Sequence, residues 1–331
     1  METRSTWINP SVLAWARNRL GFSEKDVEDL SKTLGKFYTQ VTEGELRQWE
    51  NGTAQPNLEQ LETLSEIYVC PVGYFFLEAQ PQESLGLSFR GLASEKEGRL
   101  KPLTLQTLRR FHQLAEWTIQ TIEQLGIAWN VNIPSPATSR VADLELLLAR
   151  EKERLGFTPD LRKGWSDGNA AFLWWRRKIE AQGIFCFQMK LEAQDVRGAS
   201  RWFNARYPFI LVNHQDIETA AGRLFTLLHE YYHLLTTEEG IVCDFRGLRP
   251  GEASEPPANR FAARMLLSHD ELQQRLREIG EHDYKSDWKD DTLDEIRGPF
   301  FVSRDVVATM LQEMGLAPEN FYNVKRATWE K

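Results

Sequence analysis

One short stretch holds the residue types and spacing for chemistry. Within Leu224-Phe225-Thr226-Leu227-Leu228-His229-Glu230-Tyr231-Tyr232-His233-Leu234-Leu235 the order is H-E-x-x-H. On a helix, His229 and His233 are i and i+4, project from one face one turn apart, and can hold one ion between them. Glu230 is rotated by about 100° from His229, so it can reach a water on that ion without being a ligand. This is the machinery of a zinc hydrolase. Zinc lowers the pKa of its water to about 7, and the carboxylate takes the proton during attack on a carbonyl. Zn2+ is therefore the expected cofactor. The five residues also recur by chance, and two helical histidines can be ordinary hydrogen-bonded groups, so the setting has to decide.

The setting begins with the helix itself. Ile217, Ala220/Ala221, Leu224, Leu228, Tyr231/Tyr232 and Leu235 recur at threes and fours, which predicts one buried stripe of an α-helix. Asp216 is a suitable N-cap for it. Upstream, Gly183 to Met189, Ser200 to Ala205 and Pro208 to Asn213 are β-rich runs that predict a small sheet beside this helix. An edge strand of such a sheet can hold an extended peptide by main-chain hydrogen bonds, but the sequence does not say which strand is the edge. Val141 to Leu155 and Asn169 to Ala181 are helical by period. Tyr231 and Tyr232 are candidate donors to an oxyanion, or packing aromatics. Asp244 is a candidate for holding the second nitrogen of a ligand histidine. Arg304 could clamp a substrate carbonyl, although Ser303-Arg304-Asp305 also reads as a helix start. Glu281 to Asp294 is acidic and reads as a solvated loop.

A zinc hydrolase needs three protein ligands and an open position. After His233 the candidates are Glu238, Glu239, Cys243, Asp244, Glu252, Glu255 and His269. The run from Glu255 to Leu267 is the most informative. Ala258, Phe261/Ala262 and Met265 make an apolar helix face there, and Glu255 stands at its start. A carboxylate at that place completes a His2Glu set. It is equally where a helix dipole favours an ordinary acidic residue. Pro256 pushes Glu255 out of the α region, which leaves Glu252 as the substitute ligand. His269, after Ser268, is expected at the surface where this helix ends.

The N-terminal eighty residues read as short helices. Pro10 to Gly21 is one, Ser23-Glu24-Lys25-Asp26 caps a second, Thr42 to Gly52 is a third, and Pro56 opens a fourth. The run Leu46-Arg47-Gln48-Trp49-Glu50-Asn51-Gly52 with Pro56, Leu58, Leu61 and Leu64 resembles the phage-repressor-type helix-turn-helix family. That resemblance makes Thr42, Glu43, Glu45, Arg47 and Gln48 candidate DNA-contacting residues. Residues 1–80 carry seven basic and twelve acidic side chains, a net −5, which argues for a protein-docking or vestigial role as much as for DNA. Leu103 to Leu125 predicts a long connecting helix, and Asn130 to Ser139 a linker.

The whole chain bounds the reading further. Its 331 residues suggest two domains or three small ones, and 41% hydrophobic with 27% charged residues excludes global disorder. The net charge of −8 speaks against a protein whose main task is coating nucleic acid. Three well-separated cysteines predict reduced thiols rather than a disulfide framework. With no apolar leader and no eighteen-residue apolar run, the expectation is a cytoplasmic protein without a membrane partner.

The stretch Phe225 to Leu235, then Cys243-Asp244, then Glu255-x-x-Ala258-Asn259-x-Phe261-Ala262-Ala263 with Leu266-Leu267, resembles the ImmA/IrrE family of metallopeptidases. The likeness extends to Gly183-Ile184, Arg197-Gly198 and Pro208 to Asn213 upstream, and to Val302 to Val307 and Gly315-Leu316 downstream. The resemblance implies Zn2+ at His229, His233 and Glu255, Glu230 as general base, and cleavage of a partner helix-turn-helix repressor in a stress, prophage or mobile-element response. Pro256-Pro257 and the bulky Tyr231-Tyr232 pair depart from the family's usual pattern. The expected architecture is α+β and mostly helical. A helix-turn-helix domain spans 1–80, a connector with the long helix 81–130, and a zincin-like domain with a small sheet beside the H-E-x-x-H helix 131–331. The alternative is a non-catalytic DNA- or protein-binding regulator, antitoxin-like, with a structural or vestigial metal site.

Overall fold

The computed structural model describes residues 7–81, 102–134, 143–191, 196–214, 220–236, 241–243 and 256–329. The chain forms two compact units, one from residues 1–87 and 95–116, the other from 88–94 and 117–331.

The first unit is helical. Its helices are α1 (Pro10–Asn18), α2 (Glu24–Thr33), α3 (Glu43–Glu50), α4 (Leu58–Tyr68) and the opening part of α5 (Pro102–Gln124). Each of the first four starts where a side chain can satisfy orphan backbone donors. Asn9 accepts from Ser11 N–H, and Ser23 with Asp26, Thr42 with Glu45 and Asn57 with Gln60 form capping boxes. Leu13, Val27, Leu46, Trp49, Leu64, Ile67 and Phe75 meet in the core. Residues 34–42 separate α2 from α3, a longer connection than the roughly 3–4-residue turn of a tight helix-turn-helix.

The second unit mixes helices with one small sheet, so the chain is mostly helical α+β as expected. Helices α6 (Leu144–Leu155) and α7 (Gly168–Glu180) precede strands β1 (Phe185–Met189), β2 (Gly198–Phe203) and β3 (Tyr207–Asn213). Helix α8 (Ala220–Thr236) carries the H-E-x-x-H residues, and strand β4 (Ile241–Cys243) follows. Helices α9 (Pro256–Leu266), α10 (His269–Glu278), α11 (Asp290–Arg297), α12 (Arg304–Glu313) and α13 (Phe321–Trp329) complete it. The sheet order is β1-β3-β2-β4, with β1 parallel to β3, and β2 antiparallel to both β3 and β4. Among the described residues strands β1 and β4 are thus its edges. Every residue of β3 is buried, as befits a strand covered on both faces. Helix α8 packs on β2 and β3, with α7 and α9 against it and α12 behind α9.

Gly183 sets the approach to β1. At φ +85 it adopts a backbone that L side chains rarely take, and a Cβ there would lie 2.2 Å from the Asn130 carbonyl oxygen. Only glycine lets the 130–131 segment pass.

Three expectations are corrected by packing. Helix α8 is buried on more than one stripe: Phe225, Thr226, Leu227 and Leu234 are inside as well as Ala221, Leu224, Leu228, Tyr231 and Leu235 of the expected one, while Ile217 lies outside the described residues. A helix enclosed on most sides loses the one-face pattern of a surface helix. The stretch 281–294 is a mostly exposed loop only as far as residue 289, and it is interrupted there by a core residue. Trp288 is fully buried, its Nε1–H donates to Leu316 O at 3.0 Å, and α11 begins at Asp290. His269 opens α10 behind the Ser268 cap instead of closing the preceding helix.

Candidate metal and catalytic site

The site is built from the middle of α8, one face of β2 and the first turns of α9. His229, Glu230 and His233 are 1%, 0% and 6% exposed. Buried polar groups of this kind need partners. His229 Nε2 and His233 Nε2 face each other at 3.1 Å, and the two rings meet edge to face. His229 Nδ1 lies 3.0 Å from Asn259 Oδ1 on α9. The ring of Tyr232, half-buried, stands 5.9 Å from that of His233 and 5.3 Å from that of Phe261.

Glu230 turns toward β2. The Ser200 hydroxyl donates to its Oε2 at 2.8 Å, and Ser200 is itself 2% exposed. Two residues earlier on the same face of the strand, Gly198 leaves room for the carboxylate. A Cβ at Gly198 would stand 2.7 Å from Glu230 Oε1, 2.8 Å from its Cγ and 2.8 Å from Thr226 Cγ2. The glutamate is therefore seated by a hydroxyl on one oxygen and by bare backbone beneath the other.

The donor chemistry fits a zinc ion. Two imidazole nitrogens about 2.0–2.1 Å from a tetrahedral metal stand about 3.3 Å apart, close to the 3.1 Å pair here. Among the described residues no third His, Cys, Asp or Glu joins them as a metal group. Glu255, expected as third ligand, its substitute Glu252, and Asp244 all lie outside the described residues, as does Asp216. Helix α9 starts at Pro256, so Pro256 and Pro257 occupy a first turn where a missing N–H costs nothing, directly after Glu255.

The other predicted residues fall as follows. Tyr231 is not an oxyanion donor here. It is fully buried, and its hydroxyl donates to Glu151 Oε2 of α6 at 2.6 Å. Arg150 and Arg154 each pair with that same carboxylate at 3.0 Å. The tyrosine thus anchors α8 from behind. Arg304 donates through Nε to Asp294 Oδ1 at 2.9 Å and through Nη1 to Asp290 Oδ2 at 3.0 Å. It ties α12 to α11 and is no free clamp. In the first unit, Thr42 and Glu45 serve the capping box of α3, Glu45 also accepts from Gln60, Arg47 pairs with Glu43, and Gln48 is exposed. Ser200 and the roles of Asn259 and Gly198 were not predicted. Their only sequence trace is position, Asn259 four residues after Glu255 and Gly198 in the Arg197-Gly198 pair.

Residues 179–312, which hold α8, the sheet and α9, match the Peptidase_M78 family, described as the IrrE N-terminal-like domain. This stretch is accordingly similar to a peptidase-type hydrolase domain. No curated protein and no solved structure matches the chain.

Proposed function

We propose that the chain is a zinc-dependent endopeptidase whose substrate is a helix-turn-helix transcriptional repressor. The observation that carries the peptidase reading is the pair of buried imidazole nitrogens at 3.1 Å beside a fully buried glutamate, within a stretch similar to a peptidase family. His229, His233 and Glu255 would hold the metal. Bound there, zinc would supply Lewis acidity toward a substrate carbonyl and toward water. Glu230, held through Oε2 by Ser200, takes the proton of the attacking water as general base. β4 is an edge strand next to β2, and an extended substrate segment would add to it through main-chain hydrogen bonds. Support for a repressor as substrate comes from the family resemblance, and the acidic balance of residues 1–80 leaves the helical first unit more suited to docking a protein than DNA.

The test pairs wild type with Glu230→Gln. Each is co-expressed with a candidate helix-turn-helix repressor, and fragments are read by mass spectrometry. The variant keeps its zinc and loses cleavage by about 100-fold or more. Cleavage at the wild-type rate by Glu230→Gln would remove the glutamate from the mechanism.

A further inference from the structure

We infer that Asn259 is the positioning residue that fixes the tautomer of His229, and that it does so with a neutral group that holds metal affinity below the site's ceiling. The inference rests on the metal reading above and concerns how one imidazole of that site is set.

An amide oxygen only accepts a hydrogen bond, so the proton between Asn259 Oδ1 and His229 Nδ1, 3.0 Å apart, belongs to the ring. With Nδ1 protonated, the lone pair of neutral His229 lies on Nε2, the atom 3.1 Å from His233 Nε2. A neutral imidazole in water favours the opposite arrangement, with its proton on Nε2. The protein therefore has to impose this tautomer, and burial makes the imposition effective. His229 is 1% and Asn259 6% exposed, so water does not compete for Nδ1.

The fold holds the amide in place. Asn259 is the fourth residue of α9, flanked by fully buried Phe261 and Ala262 and by Ala258, on a helix packed directly against α8. The Phe225 ring lies 6.3 Å from that of His229, tilted by 41°.

The choice of amide has a consequence. Outer partners of ligand histidines fix ring orientation and raise ligand basicity, and their loss costs about 10–100-fold in metal affinity. A carboxylate would do both. Asn259 orients the ring without adding charge. Asn259→Asp, nearly the same shape, should bind zinc more tightly than wild type, and Asn259→Leu should bind it 10–100-fold more weakly.

The experiment uses the full chain, stripped of metal, with zinc as the probe. Long-range 1H–15N correlation spectra resolve the tautomers of its six histidines, and His229→Gln assigns the signal by difference. Metal-free wild type should show His229 protonated at Nδ1, Asn259→Asp should keep that pattern, and Asn259→Leu should revert to Nε2–H. Zinc affinities come from competition with a chromophoric chelator. A wild-type His229 carrying its proton on Nε2 overturns the inference. So does an Asn259→Asp variant with wild-type zinc affinity, a readout that remains if Asn259→Leu does not fold. A wild type that binds no zinc would sink the peptidase reading, while the metal-free spectra would still decide the tautomer.

Discussion

A carboxylate with no solvent contact must be held by something, and the hydroxyl of Ser200 donates to Glu230 at 2.8 Å. Removing that donor leaves the buried carboxylate short of a bond to a charged group, a loss of about 1.5–3 kcal/mol. Ser200→Ala should lower the urea midpoint accordingly while the denaturant slope stays constant; an unchanged midpoint would mean the hydroxyl does not hold the glutamate. At this scale the sequence revealed the chemistry and hid its supports. His229 and His233 were legible because an i, i+4 spacing maps directly onto one helix face, and Glu230 because it follows His229 about 100° round the helix. Ser200 and Asn259 lie 30 residues before and after their partners, so only the fold brings them together. Tyr231 shows the converse. It sits inside the motif, yet the helix turns it to the opposite side, onto Glu151.

Among elements, those with strong local codes were readable. A capping signal marked the start of α2, and apolar periods marked α5, α6 and α7. Strand β4 was not anticipated, since three residues are too few to show alternation. The burial of Trp288 and the start of α11 were missed because acidic side chains on the outer face masked an inward-facing aromatic. One capping contact carries a pH signature. Glu28 is held at a pKa of about 2, below its ordinary 4.5, chiefly by the hydrogen bond from Lys32 and then by the backbone N–H of Glu43 at the start of α3. Because the folded value is the lower one, the ionised form favours folding. The contribution is present in full above about pH 4.5 and fades as pH falls toward 2. Glu28→Gln should therefore shrink the loss of thermal stability between those two pH values, measured by circular dichroism. A variant with the same acid dependence as wild type would assign that loss to other carboxylates.

Across the whole molecule, charge bears on partners. The chain is −8 overall and −5 over residues 1–80, and in α3 Arg47 is paired with Glu43. Phosphate neutralisation supplies most non-specific DNA affinity, and this unit offers little. Titration of the full chain against duplex DNA at about 50 and 200 mM salt should detect no salt-dependent complex; tight binding that weakens steeply with salt would restore a DNA role for the first unit. No helix among the described residues is long and apolar enough to cross a membrane. The chain's composition indicated a folded protein with a sizeable core, but composition carries no information on how nine-residue spacing between α2 and α3 departs from a tight helix-turn-helix.

The central claim is that two imidazoles one helical turn apart grip a metal. Elemental analysis of the purified full chain tests it most directly, with His229→Ala prepared in parallel. Wild type should carry close to one zinc per chain, and the variant should lose most of it. Wild-type protein with no stoichiometric divalent metal, or a variant that retains it undiminished, would contradict it.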